Sequence, residues 1–134
     1  MILQPKNLKY KKVRKNRLKK FKYNSTLNFG FIGLKSLKSG LITSKQLEAA
    51  RQAITRKIKK KGGKLWIKVF PHMPIRKKPK EVRMGKGTGS VSHWAAKVRG
   101  GSIIFEIIGV NKKLASEAFK TGKSKLPIKT RVII

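Results

Sequence analysis

Residues 43–70 read TSKQLEAARQAITRKIKKKGGKLWIKVF, and the fold is decided in this stretch. Thr43-Ser44-Lys45-Gln46 has the spacing of a capping box, in which a Thr hydroxyl and a Gln amide satisfy each other's backbone donors at a helix start. Leu47, Ala50, Ile54 and Ile58 then recur at helical spacing and form one apolar stripe. Arg51, Arg56, Lys57, Lys59, Lys60 and Lys61 cover the rest of the surface, those at the C-terminal end suiting the helix dipole. Gly62-Gly63 stops the helix. The next residues change period: Leu65, Ile67 and Val69 alternate with Trp66 and Phe70, which is the pattern of a strand, and Pro71 ends it. A helix delivered directly into a strand is the unit around which the other elements are arranged.

Upstream, Leu27 to Leu41 carries short apolar runs with Gly30, Gly33 and Gly40, and Leu27, Phe29 and Phe31 alternate as in a strand bent at its glycines. Downstream, Pro71 to Ser90 reads as a long loop with Pro74, Pro79, Gly85, Gly87 and Gly89. Ser92 to Arg99 places Trp94, Ala96 and Val98 on one face, and Ser102 to Ile108 does the same with Ile103, Phe105 and Ile107. Gly100-Gly101 between them predicts a hairpin. Asn111 is in place to cap a second helix running to about Thr121, burying Leu114, Ala118 and Phe119; a last strand follows Pro127, from Ile128 to Ile134. The expected architecture is α+β: a two-layer domain over residues 24–134, with a mainly antiparallel sheet and two helices on one face. A basic N-terminal extension over residues 1–23 precedes it.

The charge is extreme. The 134 residues hold 36 Lys and Arg against four acids, all Glu, for a net charge of +32. Residues 1–23 alone carry ten cations and no acid; alone in water such a segment is extended and mobile through self-repulsion. Four carboxylates cannot neutralise this surplus internally, so an anionic partner is implied. Cations lie on the arm, the first helix, the long loop and the C-terminal region. A membrane-surface protein gathers them on one amphipathic face; a distribution over every element suits a chain surrounded by folded RNA. Lys outnumbers the side chains that read bases, which favours recognition of backbone and shape. The candidate arm contacts are Lys6, Lys9, Lys11, Lys12, Arg14, Lys15, Arg17, Lys19 and Lys20, and those on the first helix are Arg51, Arg56, Lys57 and Lys60.

Met84-Gly85-Lys86-Gly87-Thr88-Gly89-Ser90 resembles a nucleotide-binding motif only superficially. Its third Gly falls one position too early for the dinucleotide pattern and no helix follows. Gly122-Lys123-Ser124 has Glu117 where a P-loop needs its leading glycine. Glycines do let backbone approach a partner closely. With Arg76, Lys77, Lys78, Lys80 and Arg83 just upstream, Arg83 to Gly87, including Met84, Gly85 and Lys86, reads as a phosphate-backbone contact loop. His72 and His93 have no carboxylate or hydroxyl at a catalytic spacing, and the residues that could ligate a metal are scattered. There is no Cys, and the longest uncharged run, Tyr23 to Leu34, is too short and too polar for a membrane span. Trp66, Trp94, Phe70 and Phe105 alternate with aliphatic residues as core side chains do. No catalytic residue, metal, cofactor, small-molecule substrate or membrane partner is expected.

Several ordered stretches together carry a family resemblance: Leu3-x-Pro5-Lys6, Phe29-Gly30-Phe31-x-Gly33-Leu34, Leu41 to Arg51, Gly63 to Pro71, Lys78-Pro79-x-Glu81-Val82-Arg83-Met84-Gly85-Lys86-Gly87, and Leu126-Pro127-Ile128-Lys129-Thr130. The chain resembles the large-subunit ribosomal protein sixteen family of the bacterial and organellar type. That resemblance implies a non-enzymatic constituent of the large ribosomal subunit that binds its rRNA and helps position aminoacyl-site tRNA and mature the subunit. It also implies neighbouring ribosomal proteins as partners, and a loop from Arg83 to Gly89 pointing towards the peptidyl-transferase region. Thr88 stands where the family commonly has a basic residue. A free nucleic-acid-compacting protein is the alternative that charge alone leaves open. Because the family-like sequence begins at Leu3, the chain is expected to be made where it works. The absence of Asp, with Lys, Ile and Asn abundant, suggests AT-biased coding and a mitochondrial ribosome, with a plastid or a bacterium as the other settings.

Overall fold

The capping box forms as its spacing requires. In a computed structural model that describes residues 3–10, 12–14, 18 and 26–134, helix α1 spans Ser44–Ile58. Thr43 Oγ1 accepts from the Gln46 N–H at 3.3 Å, and Gln46 Oε1 accepts from the Thr43 N–H at 3.0 Å. Leu47, Ala50, Ile54 and Ile58 are all buried. A 3₁₀ turn, Lys59–Lys61, follows, and Gly62 takes the left-handed conformation that ends the helix (φ +72°).

Among the described residues there are seven strands: β1 (Ile32–Ser36), β2 (Gly40–Thr43), β3 (Lys64–Ile67), β4 (Met73–Arg76), β5 (Val91–Val98), β6 (Ile103–Ile108) and β7 (Thr130–Ile133). All pairings are antiparallel, and with two helices the domain is α+β. The strands divide into two sheets, ordered β3-β6-β1-β7 and β2-β5-β4. The expected hairpin between β5 and β6 does not form, because these strands belong to different sheets. Gly100-Gly101 is the place where the chain crosses between them. Likewise, the single bent strand expected over Leu27 to Leu41 is two strands, one per sheet.

The two crossings are tied together. The Gly101 N–H donates to the Ser36 carbonyl at 2.7 Å, the Ser36 N–H to the Ser102 carbonyl at 2.9 Å, and the Gly100 N–H to Ser39 Oγ at 2.9 Å. Both glycines are buried, and Gly101 has φ +94°. A side chain at 101 would be strained and one at 100 would press on the Leu37 carbonyl at 3.3 Å, so the glycine pair serves close packing of two turns.

Strand β4 lies inside the stretch expected to be all loop. Pro74 argued against a strand there, but β4 is at a sheet edge, where a residue without an N–H is tolerated. A bulge also shifts the expected face of β6. Leu34 pairs with Phe105 but Lys35 pairs with Ile103, so Ile104 is the extra residue. Ile104, Phe105 and Ile107 join the main core cluster, while Ile103, also buried, packs outside that cluster against Gly33. Helix α2 (Lys112–Lys123) buries Ala115, Ala118, Phe119 and Gly122; the expected Leu114 is only half-buried. Asn111 occupies the N-cap position, but its side chain makes no capping bond. A Cβ on Gly122 would meet Ile54 Cγ1 at 2.6 Å, so small residues let the two helices approach closely. The core lies between these helices and the inner faces of the strands, and Leu3 from the N-terminal segment is part of it.

Glu106 on β6 is fully buried. Its carboxylate accepts from the backbone N–H groups of Phe29 (2.7 Å), Gly30 (3.0 Å) and Asn28 (3.3 Å), and Lys68 Nζ lies 3.5 Å away. These bonds fold residues 28–30 into a bend over the outer face of the β3-β6-β1-β7 sheet, where the sequence pattern predicted a strand. Burial pushes the Glu106 carboxyl up, but the N–H groups of Phe29, Gly30 and Asn28 and the charge of Lys68 outweigh it and hold it below the ordinary carboxylate value. A lowered folded-state pKa stabilises the fold fully above the unfolded value of about 4.3, and that contribution is lost as pH falls through the folded value. Glu106→Gln places an amide against N–H donors and is expected to cost about 1–3 kcal/mol at neutral pH. Thermal melts from neutral to acid pH would show it as a lower Tm with a shallower acid dependence than the native chain's.

Candidate nucleic-acid interface

Strands β4 and β5 form the root of the glycine-rich loop. The Lys77 N–H donates to the Ser90 carbonyl at 3.2 Å, and Gly89 lies so close to Lys77 that a Cβ there would meet its carbonyl oxygen at 2.5 Å. The Arg76 guanidinium donates to the Thr88 hydroxyl and the Lys78 ammonium to the Gly85 carbonyl, tying the limbs of the loop together. At the tip three consecutive residues take positive φ: Gly85 (+102°), Lys86 (+49°) and Gly87 (+88°). A Cβ at Gly85 or Gly87 would meet nothing within 4 Å. Lys80, Arg83 and Lys86 are exposed, and Met84 is 97% exposed. The loop is therefore closed by its own hydrogen bonds, with side chains that contribute little packing to the domain.

The N-terminal segment runs past this root. Leu3 is buried in the core, and residues 4–8 and Lys12 border a groove whose other wall is Arg76, residues 88–92 and Trp94. The groove has a volume of about 1030 Å³. It brings Lys6 and Lys12 of the arm together with Arg76 of the loop root. Lys9 and Arg14 are exposed, whereas Lys11, Lys15, Arg17, Lys19 and Lys20 lie outside the described residues. Arg56, Lys57 and Lys60 are exposed at the far end of α1, about 20 Å along the axis from its start at 1.5 Å per residue. Arg51 stands apart from the other helix cations. Its guanidinium holds Glu48 through two bonds, at 2.7 and 2.9 Å, lowering the Glu48 pKa and raising its own.

With this basic loop, arm and helix in place, the comparisons with known proteins become specific. The family described as ribosomal protein L16p/L10e matches residues 5–133. The chain belongs to that family. Among curated relatives, the large ribosomal subunit protein uL16 of Erythrobacter litoralis is 54% identical, over 98% of this chain and 92% of its own length. The uL16 of Blochmanniella pennsylvanica is 53% identical over 99% and 98%, and that of Maricaulis maris 50% identical over 98% and 96%.

The match to the L16p/L10e family takes in the loop, most of the arm and both helices. Its histidines stand in local contacts: His72 Nδ1 lies 3.1 Å from the Phe70 carbonyl oxygen and His93 Nδ1 3.3 Å from Ser92 Oγ. Among the described residues, no three His, Cys, Asp or Glu side chains converge as metal ligands, and no helix is long and apolar enough to cross a membrane. Of the aromatics expected in the core, Phe105 is fully buried and Trp66 and Trp94 are half-buried, but Phe70 is 48% exposed beyond the end of β3.

No sequence-based expectation covers the structural role of Glu106. A lone acid inside the apolar run Ile103-Ile104-Phe105-Glu106-Ile107-Ile108, in a chain with 36 cations, was the available signal. It fixes the bend at Phe29. The different packing of tip and root gives a measurable contrast. Replacing Arg83 and Lys86 with Ala is expected to change stability by no more than about 0.5 kcal/mol. Gly89→Ala, which overpacks the root, is expected to cost about 1–3 kcal/mol. Thermal melts of the variants side by side provide the check.

Proposed function

We propose that this chain is a structural constituent of the large ribosomal subunit, held by large-subunit rRNA and by neighbouring ribosomal proteins. The observation that carries this reading is the near end-to-end likeness to proteins named as large ribosomal subunit uL16. The +32 charge gives it a physical basis, since phosphate is the partner able to cancel cations dispersed over arm, helix and loop. A free nucleic-acid-compacting role loses its support once the family is known. The relatives named above are bacterial, which fits a bacterial-type ribosome; the AT-biased composition leads us to place this one in a mitochondrion.

Within that setting the parts have distinct duties. The loop, carrying Arg76, Lys77, Lys78, Lys80, Arg83, Met84, Gly85, Lys86 and Gly87, reaches towards the aminoacyl-site tRNA and the RNA around it. Its closed root sets the direction of reach, and its glycines allow backbone to approach phosphates closely. The arm, through Lys6, Lys9, Lys11, Lys12, Arg14, Lys15, Arg17, Lys19 and Lys20, runs along rRNA. Arg56, Lys57 and Lys60 meet rRNA on another side of the domain, with Arg51 braced by Glu48 on the same helix. Peptide-bond chemistry is left to the RNA. The protein contributes position and charge neutralisation.

Binding by this mechanism is steeply salt-dependent. If about 6–10 phosphates are neutralised, affinity for large-subunit rRNA falls by about 10³–10⁵ between low and moderately raised salt. In large subunits reconstituted with the Arg83→Ala/Lys86→Ala variant, we expect assembly to proceed while aminoacyl-tRNA binding and translation fall. Equal rates of translation by native and variant subunits would refute the role given to the loop.

A further inference from the structure

The outer face of the β3-β6-β1-β7 sheet carries an aromatic site that the loop and arm do not account for. Phe29 is 58% exposed although three interactions hold it in place. Its ring stacks on Trp66 with centroids 6.1 Å apart and planes 25° from parallel. Lys68 Nζ lies 4.4 Å from its centroid. Its backbone N–H donates to the buried carboxylate of Glu106 at 2.7 Å. Gly30 keeps the bend pressed to β6, since a Cβ there would meet the Ile107 carbonyl at 2.7 Å. Phe31, beside buried Ile32, is 74% exposed. A phenyl ring left in water is a cost; here a buried charge network fixes the backbone that presents it.

We infer that Phe29, Trp66 and Phe31 form a stacking platform for an unpaired nucleobase of RNA. This deepens the rRNA-binding reading and rests on it. The charge of the face selects the partner. Lys35 and Arg131 pair with each other across β1 and β7, two residues along from Gly33 and Ile133, and so lie on the same face as Glu106. Glu106, the carboxylate of that face, is spent beneath the N–H groups of residues 28–30. Beside the aliphatic Leu27 and Ile133 gathered at Gly33, the face therefore presents rings and cations, which complement a base and its phosphates. Duplex RNA keeps its bases stacked within the helix, so the platform's target is a loop, bulge or strand end.

The test uses the full chain carrying Trp94→Phe, so that fluorescence reports Trp66 alone. Its probes are a short oligoadenylate, an oligouridylate of the same length and a duplex of equal charge, each titrated over a salt series. The expected result is tighter binding of oligoadenylate than of oligouridylate, with Trp66 fluorescence altered on binding. Phe29→Leu should weaken oligoadenylate binding about tenfold, leaving the salt slope and the duplex affinity unchanged. Phe31→Leu, at a position outside the hydrogen bonds to Glu106, should weaken it in the same direction. Equal affinity of native and variant chains for oligoadenylate, or a silent Trp66, would overturn the platform while salt-sensitive duplex binding left the rRNA reading standing. Failure to bind any of the three RNAs would overturn both.

Discussion

Like-charge repulsion is the constraint under which this fold is built. With 36 cations and four carboxylates, no arrangement of ion pairs could bring the surface near neutrality. What the chain can do is keep the cations outside and hold its centre together by apolar burial. The core cluster is aliphatic and aromatic throughout, drawn from both helices, both sheets and Leu3. Two of the acids are used where a local charge does structural service. Glu48 braces Arg51 along α1, and Glu106 binds a loop to a sheet. Neither reduces the outward field by much, and that field is what a polyanion recognises.

Glu106 also shows why a buried acid is retained here. Removing a carboxylate from water is unfavourable unless its lone pairs are satisfied. Three backbone N–H groups and one ammonium satisfy it, and these same donors would otherwise be orphaned in a bend with no ladder partner. The exchange works in both directions: the loop gains an acceptor and the acid gains donors. Its geometric consequence is that residues 28–30 cannot extend β1, and Phe29 is held on the sheet's outer face beside Trp66.

Much of this architecture is legible in the residues, for identifiable reasons. Helix α1 is read without error because its capping box, apolar stripe and glycine stop are all local. The α+β class follows from the periods of the segments. Pairing is different, since it depends on partners far apart in the chain. Gly100-Gly101 has the composition of a hairpin turn, and only the bonds to Ser36 and Ser39 show that it is a crossing between sheets. Pro74 hid β4 because a proline's cost depends on whether the strand is an edge, which is a tertiary fact. The bulge at Ile104 breaks the simple alternation expected for Ile103, Phe105 and Ile107, and an unbroken apolar run gives no sign of where it falls. At the interface, the cationic loop and its glycines are visible as letters. The self-closure through Arg76, Thr88, Lys78 and Gly85, and the meeting of arm and loop at one groove, are visible only in three dimensions.

The division between a packed domain and an unpacked loop has a thermodynamic logic. Ordering a loop tip without burying side chains gains little stability, so positive φ at Lys86 must be held by glycine neighbours and by the root. In exchange, the tip's cations stay available to a partner, and the root limits the conformations lost when that partner is bound. A preorganised loop keeps more of its contact energy as affinity than a floppy one of the same composition. Residues 1–23 carry ten cations and no acid, so self-repulsion opposes their packing in the absence of an anion. The loop is thus prearranged by its root, while the buried Leu3 ties the start of the N-terminal segment to the core.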